Sequence, residues 1–282
     1  MAPTAENPAV GPTVAVIIPF YRNQAHVREA VDSVLCQTVA AQEIIVIDDA
    51  SPDGAEVLET LDPRVRVLRC APNGGAGAAR QAGVRATTSE WIAFLDADDA
   101  WLPRKLERQF ADLGNRPDLD VHHTGLITVY SDGREVPRLR KPALLTLPEQ
   151  LRRNQALPSA TMIRRTTLDA VGGWSLDRRV MEDWELGIRL VASGARVGFL
   201  AEPLVRFRRQ LHGNLSSRGW QHMWTNLGTI RKHGKLYRSS LGLGGTLGVM
   251  GRVVHDEGCR RGGIDGAAFR GAGRIMSLGS RP

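Results

Sequence analysis

Apolar runs alternating with amphipathic stretches organise the first hundred residues. Val14–Ile18 is continuously apolar, as suits a strand buried on both faces of a sheet, and Pro19 closes it. Val27, Ala30, Val31, Val34 and Leu35 then fall at helical spacing, with Asn23 placed as an N-cap. Glu43–Ile47 and Val65–Leu68 repeat the strand pattern around a short helix over Val57–Leu61. A second long helix opens at the loop Asn73-Gly74-Gly75-Ala76-Gly77 and runs to Arg85, and Trp91–Leu95 is the next buried strand. Strands and helices in this order imply right-handed βαβ units, a parallel sheet, and ligands at the C-terminal strand ends.

The pattern continues less regularly. A helix covers Leu102–Leu113 with Pro103 in its first turn, Val121–Val129 reads as a strand, and Ser131-Asp132-Gly133 as a hairpin turn. Residues 134–158 form a basic, proline-containing connection, and Pro158–Arg165 a short strand. Met181-Glu182-Asp183 opens a helix that buries Leu186, Leu190 and Val191 and stops at Gly194, before a strand over Arg196–Leu200. Beyond residue 217, Trp220, Met223, Trp224, Leu227 and Ile230 recur at helical spacing, a stripe that suits either a membrane surface or packing on the protein's own domain or a second copy. Leu241–Gly251 is apolar but glycine-rich and too short to span a bilayer.

Composition narrows this picture. The 282 residues suit one sizeable domain with an appendage, and the three scattered cysteines, Cys36, Cys70 and Cys259, form no CxxC pair and fit a reducing compartment. The proline- and alanine-rich residues 1–12, expected to be disordered, carry no basic region followed by an apolar one, so no signal peptide is expected and a cytoplasmic location follows. The net charge of +7 is uneven: residues 204–282 hold 14 Lys/Arg against 3 Asp/Glu, whereas residues 1–203 hold 23 against 27. A basic tail on a mildly acidic body points to an anionic partner: a nucleic acid, a phosphorylated substrate, or a membrane met peripherally. Residues 257–282 are Gly/Arg-rich and read as flexible.

The strand ends carry the candidate chemistry. Pro19-Phe20-Tyr21, Asp48-Asp49 and Asp96-Ala97-Asp98-Asp99 follow three of the apolar runs, and the Asn73–Gly77 loop opens on the same side. Three carboxylates within four positions repel one another unless a cation or donors hold them, and hard oxygen ligands suit Mg²⁺ or Mn²⁺. The glycine loop is neither a dinucleotide fingerprint nor a P-loop, so its small residues serve either close packing or backbone approach to a ligand. His122 and His123, adjacent in a strand, point to opposite faces and read as structural.

Four blocks in order, VAVIIPFYRN, EIIVIDDASPDG, WIAFLDADDAW and MEDWELGIRL, together with the Asn73–Arg80 stretch, resemble the family 2 glycosyltransferases of the GT-A fold across residues 12–217. That resemblance implies an α/β, Rossmann-like, mostly parallel sheet flanked by helices, with 13–101 as a nucleotide-sugar half, 102–217 as an acceptor half, and 218–282 as a basic helical extension. It implies that Pro19, Phe20, Tyr21, Asp48, Asp49, Asn73, Arg80, Asp96, Ala97 and Asp98 serve the nucleotide-diphosphate sugar. Asp96, Asp98 and Asp99 would hold Mn²⁺ or Mg²⁺. His212 would join them, although it sits one place later than the family's pattern. Asp183 would be the general base of an inverting transfer, with Glu182 and Trp184 beside the acceptor, whose identity stays open among lipid carrier, glycan, small molecule and peptide. A nucleotidyltransferase would need a Gly-rich basic loop where Pro19-Phe20-Tyr21-Arg22-Asn23 stands. A non-catalytic nucleotide-sugar-binding module would not need the carboxylate set. Nucleic-acid binding would need aromatic platforms on a basic sheet face, whereas these sheet ends are acidic.

Overall fold

A computed structural model describes residues 12–155, 157–209 and 219–261. The chain runs β1 (Val14–Phe20), α1 (Gln24–Leu35), β2 (Glu43–Asp49), a 3₁₀ turn (Glu56–Thr60), β3 (Val65–Cys70), α2 (Ala76–Arg85), β4 (Trp91–Phe94), β5 (Ala100–Trp101) and α3 (Lys105–Asn115). It continues through β6 (Val121–Tyr130), β7 (Glu135–Arg138), α4 (Leu147–Arg152), a 3₁₀ turn (Pro158–Ala160), β8 (Thr161–Arg164), α5 (Arg165–Ala170), α6 (Glu182–Ala192), β9 (Val197–Arg209), α7 (Gly219–Lys232) and α8 (Gly234–Arg261).

One curled sheet has the order β3-β2-β1-β4-β8-β6-β9-β5, with β7 paired to β6. The β1–β4 half is parallel as the pattern predicts. The second half is mixed: β8 runs antiparallel to both β4 and β6, β5 is antiparallel to β9, and β6 and β9 are parallel. The expected parallel pairing thus covers the first half and the β6–β9 pair, while the short strands inserted after β4 pair in the opposite sense.

The strand period of two divides the core. Val14, Val16, Ile18 and Phe20 face one apolar cluster with α1 residues Val27, Val31 and Val34. Ala15 and Ile17 face a second cluster with Ala79 and Val84 of α2 and Leu186 and Leu190 of α6. Gly83 lets α2 lie directly on β1: a Cβ there would stand 2.5 Å from Ile17 Cγ2.

Several elements differ from the sequence reading. The helix expected over 57–61 is a 3₁₀ turn, and Asn23 caps α1 with its carbonyl, not its side chain. The 134–158 connection contains β7 and α4, the latter opened by a Thr146/Glu149 capping box. The strand at 196–200 extends to Arg209. Leu241–Gly251 lies inside α8, which breaks at Gly242 with φ of 67° and is helical again beyond it. Helices α7 and α8 close over α4 and α6 through a third cluster of Leu151, Trp184, Ile188, Ile230, Tyr237 and Val249. Glu185 pins this junction, with Lys232 at 2.7 Å, His233 at 3.2 Å and Arg189 at 2.8 Å. Residues 1–11, His212, and the part of the Gly/Arg-rich tail from 262 onward lie outside the described residues.

Candidate active site

Arg80 is the centre of the site. It projects from α2, is 4% exposed, and donates from Nη2 to Asp96 Oδ1 at 2.5 Å and from Nη1 to Glu182 Oε1 at 3.2 Å. Its guanidinium stacks over Trp174 at 4.7 Å, and Trp174 in turn meets Phe94 edge-on at 4.9 Å. Burial opposes its charge, but Asp96 and Glu182 outweigh burial and hold it protonated. One cation thereby ties the acidic turn after β4 to the first residue of α6, 86 positions later in the chain.

The three aspartates after β4 have different tasks. Asp99 is 1% exposed; it accepts from Ser159 Oγ at 2.5 Å and from the Arg208 backbone N–H at 2.9 Å. Burial, then Asp96 and Asp98, push its carboxyl well above the usual range, so it is an internal strut joining β4 to β9. Asp96 is held by Arg80, and its backbone N–H by Ser159 Oγ at 3.1 Å. Asp98 stays partly open to solvent, and no neighbouring side chain among the described residues donates to its carboxylate. Burial and the Asp96 charge raise it to about 6, with Arg208 and Arg80 acting on it only through space.

No three His, Cys, Asp or Glu side chains among the described residues form a ready metal cage. An under-partnered carboxylate beside a second one nevertheless fits a hard divalent ion of the kind that completes its shell with water and substrate phosphates. Asp98 and the second oxygen of Asp96 are the groups that would hold it; both Asp99 oxygens are already engaged.

Asp183, in the first turn of α6, accepts from Asn154 Nδ2 at 2.8 Å and from the Trp184 N–H at 2.7 Å. It borders an apolar pocket walled by Phe94, Trp174 and Leu186 among others. Burial in that setting, then the Glu182 charge, raise its carboxyl to about 7, although Arg80 pulls it back. A carboxylate tuned near neutrality can take a proton from a hydroxyl and release it again.

On the far side of the first half, Asp49 is 4% exposed and receives the Gly74 and Gly75 N–H groups at 2.7 Å each, while Asn73 Nδ2 donates to the Asp49 carbonyl at 2.8 Å. Gly75 has φ of 86°, a conformation glycine adopts freely, and Arg178 clamps the loop by donating to Gly74 O at 3.1 Å and Asn73 O at 2.6 Å. Gly77 permits close approach to the loop ahead of α6: a Cβ there would lie 2.7 Å from Ser175 O. Asp48 accepts from the Ser51 N–H at 2.7 Å, and its other carboxylate oxygen is buried without a hydrogen-bond partner, 3.5 Å from Arg69 Nη1. Tyr21 is 43% exposed at the end of β1.

The structure therefore gathers Arg80, Asp96, Glu182 and Asp183 with Asp98 alongside, and separately Asp48, Asp49 and Asn73. Phe20 and Ala97 are core residues. Trp184 is also turned inward: it is 4% exposed, donates its indole N–H to Gln150 O at 2.6 Å, and packs under α7 and α8. His122 and His123 are buried, His122 on Asp112 at 2.7 Å, in agreement with a structural role. Ser159, Trp174, Arg178, Asn154 and Arg208 complete the site's supports, and none of them is among the site residues expected from the sequence.

The model of the glycosyl transferase family 2 matches residues 15–182. TuaG of Bacillus subtilis (strain 168), a glycosyltransferase provisionally assigned to teichuronic acid biosynthesis, is 28% identical over 215 residues, covering 74% of this chain and 84% of its own. The Escherichia coli UDP-Glc:alpha-D-GlcNAc-diphosphoundecaprenol beta-1,3-glucosyltransferase WfgD is 38% identical over 100 residues, 35% of this chain and 40% of its own. Matches to several other curated relatives span from 40% to 62% of those proteins. The crystal structure of S. aureus TarS 1–349 in complex with UDP-GlcNAc superposes with a TM-score of 0.60 at 15% identity over 95% of this chain and 89% of that one, a likeness of fold.

Proposed function

This chain belongs to glycosyl transferase family 2, and we propose that it moves a sugar from a nucleotide-diphosphate donor to an acceptor hydroxyl with inversion, using Asp183 as general base and a divalent ion at Asp98 and Asp96. The observation that carries this reading is the Arg80 bridge, which brings the acidic turn after β4 and the first turn of α6 into one site. UDP is the first nucleotide to test, because TarS is described in complex with UDP-GlcNAc and WfgD is named for UDP-Glc.

The residues divide the work. The Asp48/Asp49 end of β2, with Tyr21 exposed beside it, receives the nucleoside. Asp98 and Asp96 face the diphosphate. An ion held there would neutralise charge on the departing nucleoside diphosphate. Asp183 removes the acceptor proton on the opposite side of the sugar, and Asn154 and the Trp184 N–H fix its orientation. A nucleophile on one face and a leaving group on the other give a single displacement and an inverted anomeric centre. Arg80 keeps Asp96 and Glu182 in place and restrains the rise of the Asp183 carboxyl.

The test is a panel of nucleotide sugars with Mn²⁺, Mg²⁺ or chelator, read by thermal shift and by slow release of nucleoside diphosphate. One donor should stabilise the protein in a metal-dependent manner, and Asp98→Ala should abolish that stabilisation. Asp183→Asn should bind the same donor and fail to turn it over. If no nucleotide sugar binds under any condition, the proposal is wrong.

A further inference from the structure

The C-terminal helices carry a surface that sugar transfer does not explain. Between Glu202 and Asp256 the sequence holds nine Lys/Arg and no Asp or Glu. Helix α7 buries Met223 and Ile230 but leaves Trp220 45% and Trp224 61% exposed, and residues four apart share a helix face. Past the break at Gly242, α8 repeats the arrangement: Leu243 is 68% and Leu247 38% exposed while Thr246 and Val249 are buried. These four side chains are among the nine large hydrophobic residues exposed across all the described residues, so the two helices hold a disproportionate share.

Charge placement says what would cover them. Lys232 is neutralised by Glu185, but Arg231, Lys235 and Arg238, around the α7–α8 turn, are exposed and form no ion pair with any described residue. The stretch Leu241–Gly251 carries no charged side chain at all, so an apolar phase can meet it without desolvating an ion. Indole rings and leucines flanked by unpaired cations fit a bilayer interface, where Trp sits at head-group depth and Lys/Arg meet anionic lipid. A nucleic acid would use the cations and the rings but has no use for Leu243 and Leu247. No helix among the described residues is long and apolar enough to cross a membrane, so the contact is peripheral.

We propose that α7 and α8 dock the protein on an anionic lipid surface, with Trp220, Trp224, Leu243 and Leu247 entering the interface and the cations near the α7–α8 turn meeting the head groups. This surface is independent of the catalytic residues, so its test does not depend on the donor reading. The full chain is sedimented with vesicles of phosphatidylcholine alone or with about one third phosphatidylglycerol. Binding should require phosphatidylglycerol, weaken as salt rises, and fall about tenfold or more in Trp220→Ser/Trp224→Ser with the thermal unfolding midpoint unchanged. Arg231→Gln/Lys235→Gln/Arg238→Gln should lose the phosphatidylglycerol preference. Wild-type binding by the double Trp variant, or no sedimentation with either vesicle, overturns the proposal. So does a change from dimer to monomer in light scattering of that variant without vesicle binding, which would assign the surface to a second copy.

Discussion

Replacing Arg80 by Met separates the charge of the bridge from its bulk. The arginine is 4% exposed and serves two carboxylates, at 2.5 Å and 3.2 Å. Removing one partner of a buried pair costs ~3–5 kcal/mol. The side chains of Asp96 and Glu182 keep 29% and 22% of their exposure, so water recovers part of that, and the cost falls to about 2–3 kcal/mol. For a chain of this size the midpoint of thermal unfolding should fall by roughly 3–5 °C. The pH dependence of that deficit is the sharper test. Burial and Glu182 raise the Asp183 carboxyl to about 7 even with Arg80 pulling it down. Without Arg80 it rises further. A carboxyl raised in the folded state binds protons more tightly folded than unfolded, so its contribution to stability is present at low pH and lost as pH climbs through the folded value. The deficit of Arg80→Met should therefore be larger at pH 8 than at pH 5. In turnover, the acid limb should lie near pH 7 in the wild type and move alkaline by about one unit in Arg80→Met. Arg80→Lys, which keeps the charge and loses the fork, should hold the limb in place at reduced kcat. An equal deficit at both pH values together with an unmoved limb would show that Arg80 acts by packing alone.

Three further outcomes follow from the same geometry. Asp183→Asn should lower kcat by roughly 10²–10⁴ and raise stability by about 1–2 kcal/mol more at pH 8 than at pH 5, because the mutation removes an ionisation that burial opposes and whose cost grows up to about pH 7; equilibrium unfolding in urea at the two pH values checks the sign. Trp184→Phe should cost about 1–3 kcal/mol through the lost hydrogen bond to Gln150 O, with KM for donor and acceptor unchanged; a raised acceptor KM would return Trp184 to the acceptor site. Gly77→Ala should slow turnover and cost about 1–3 kcal/mol, since the added methyl would stand 2.7 Å from Ser175 O and 3.2 Å from Glu182 Cβ; wild-type kcat would mean that the α2–α6 approach is not needed.

The first half of the fold was legible because its strands are buried on both faces, which leaves runs such as Val14–Ile18 with no competing period. The second half was less so: β5 is two residues long and β8 four, too short to set up an alternation, and α4 is announced only by its capping box. In the site, residue types were easier to read than directions. Asp96, Asp98 and Asp99 look alike in sequence, yet Ser159, 60 positions beyond Asp99, decides that Asp99 faces inward. The stripe at 220–230 likewise gave a helix, but which of its apolar residues face α6 depends on where the sheet places α6. Met223 and Ile230 go in, and Trp220 and Trp224 stay out.

The same geometry bears on the need for a cation. Asp96, Asp98, Asp99, Glu182 and Asp183 crowd around Arg80 and Arg208. Arg208 also reaches Glu29 at 2.5 Å, and both terminal nitrogens of Arg80 already serve carboxylates, while its Nε is buried. The charge of each arginine is thus already countered by carboxylates. A nucleoside diphosphate that entered alone would add negative charge to a site already in excess of it, at the point where Asp98 has no side-chain donor among the described residues. Proton uptake could relieve part of the repulsion, but a proton on Asp98 leaves the diphosphate's own charge uncompensated as its bond to the sugar breaks. A divalent ion held by Asp98 and Asp96 would answer both problems, because it would partner Asp98 and offset the diphosphate's charge.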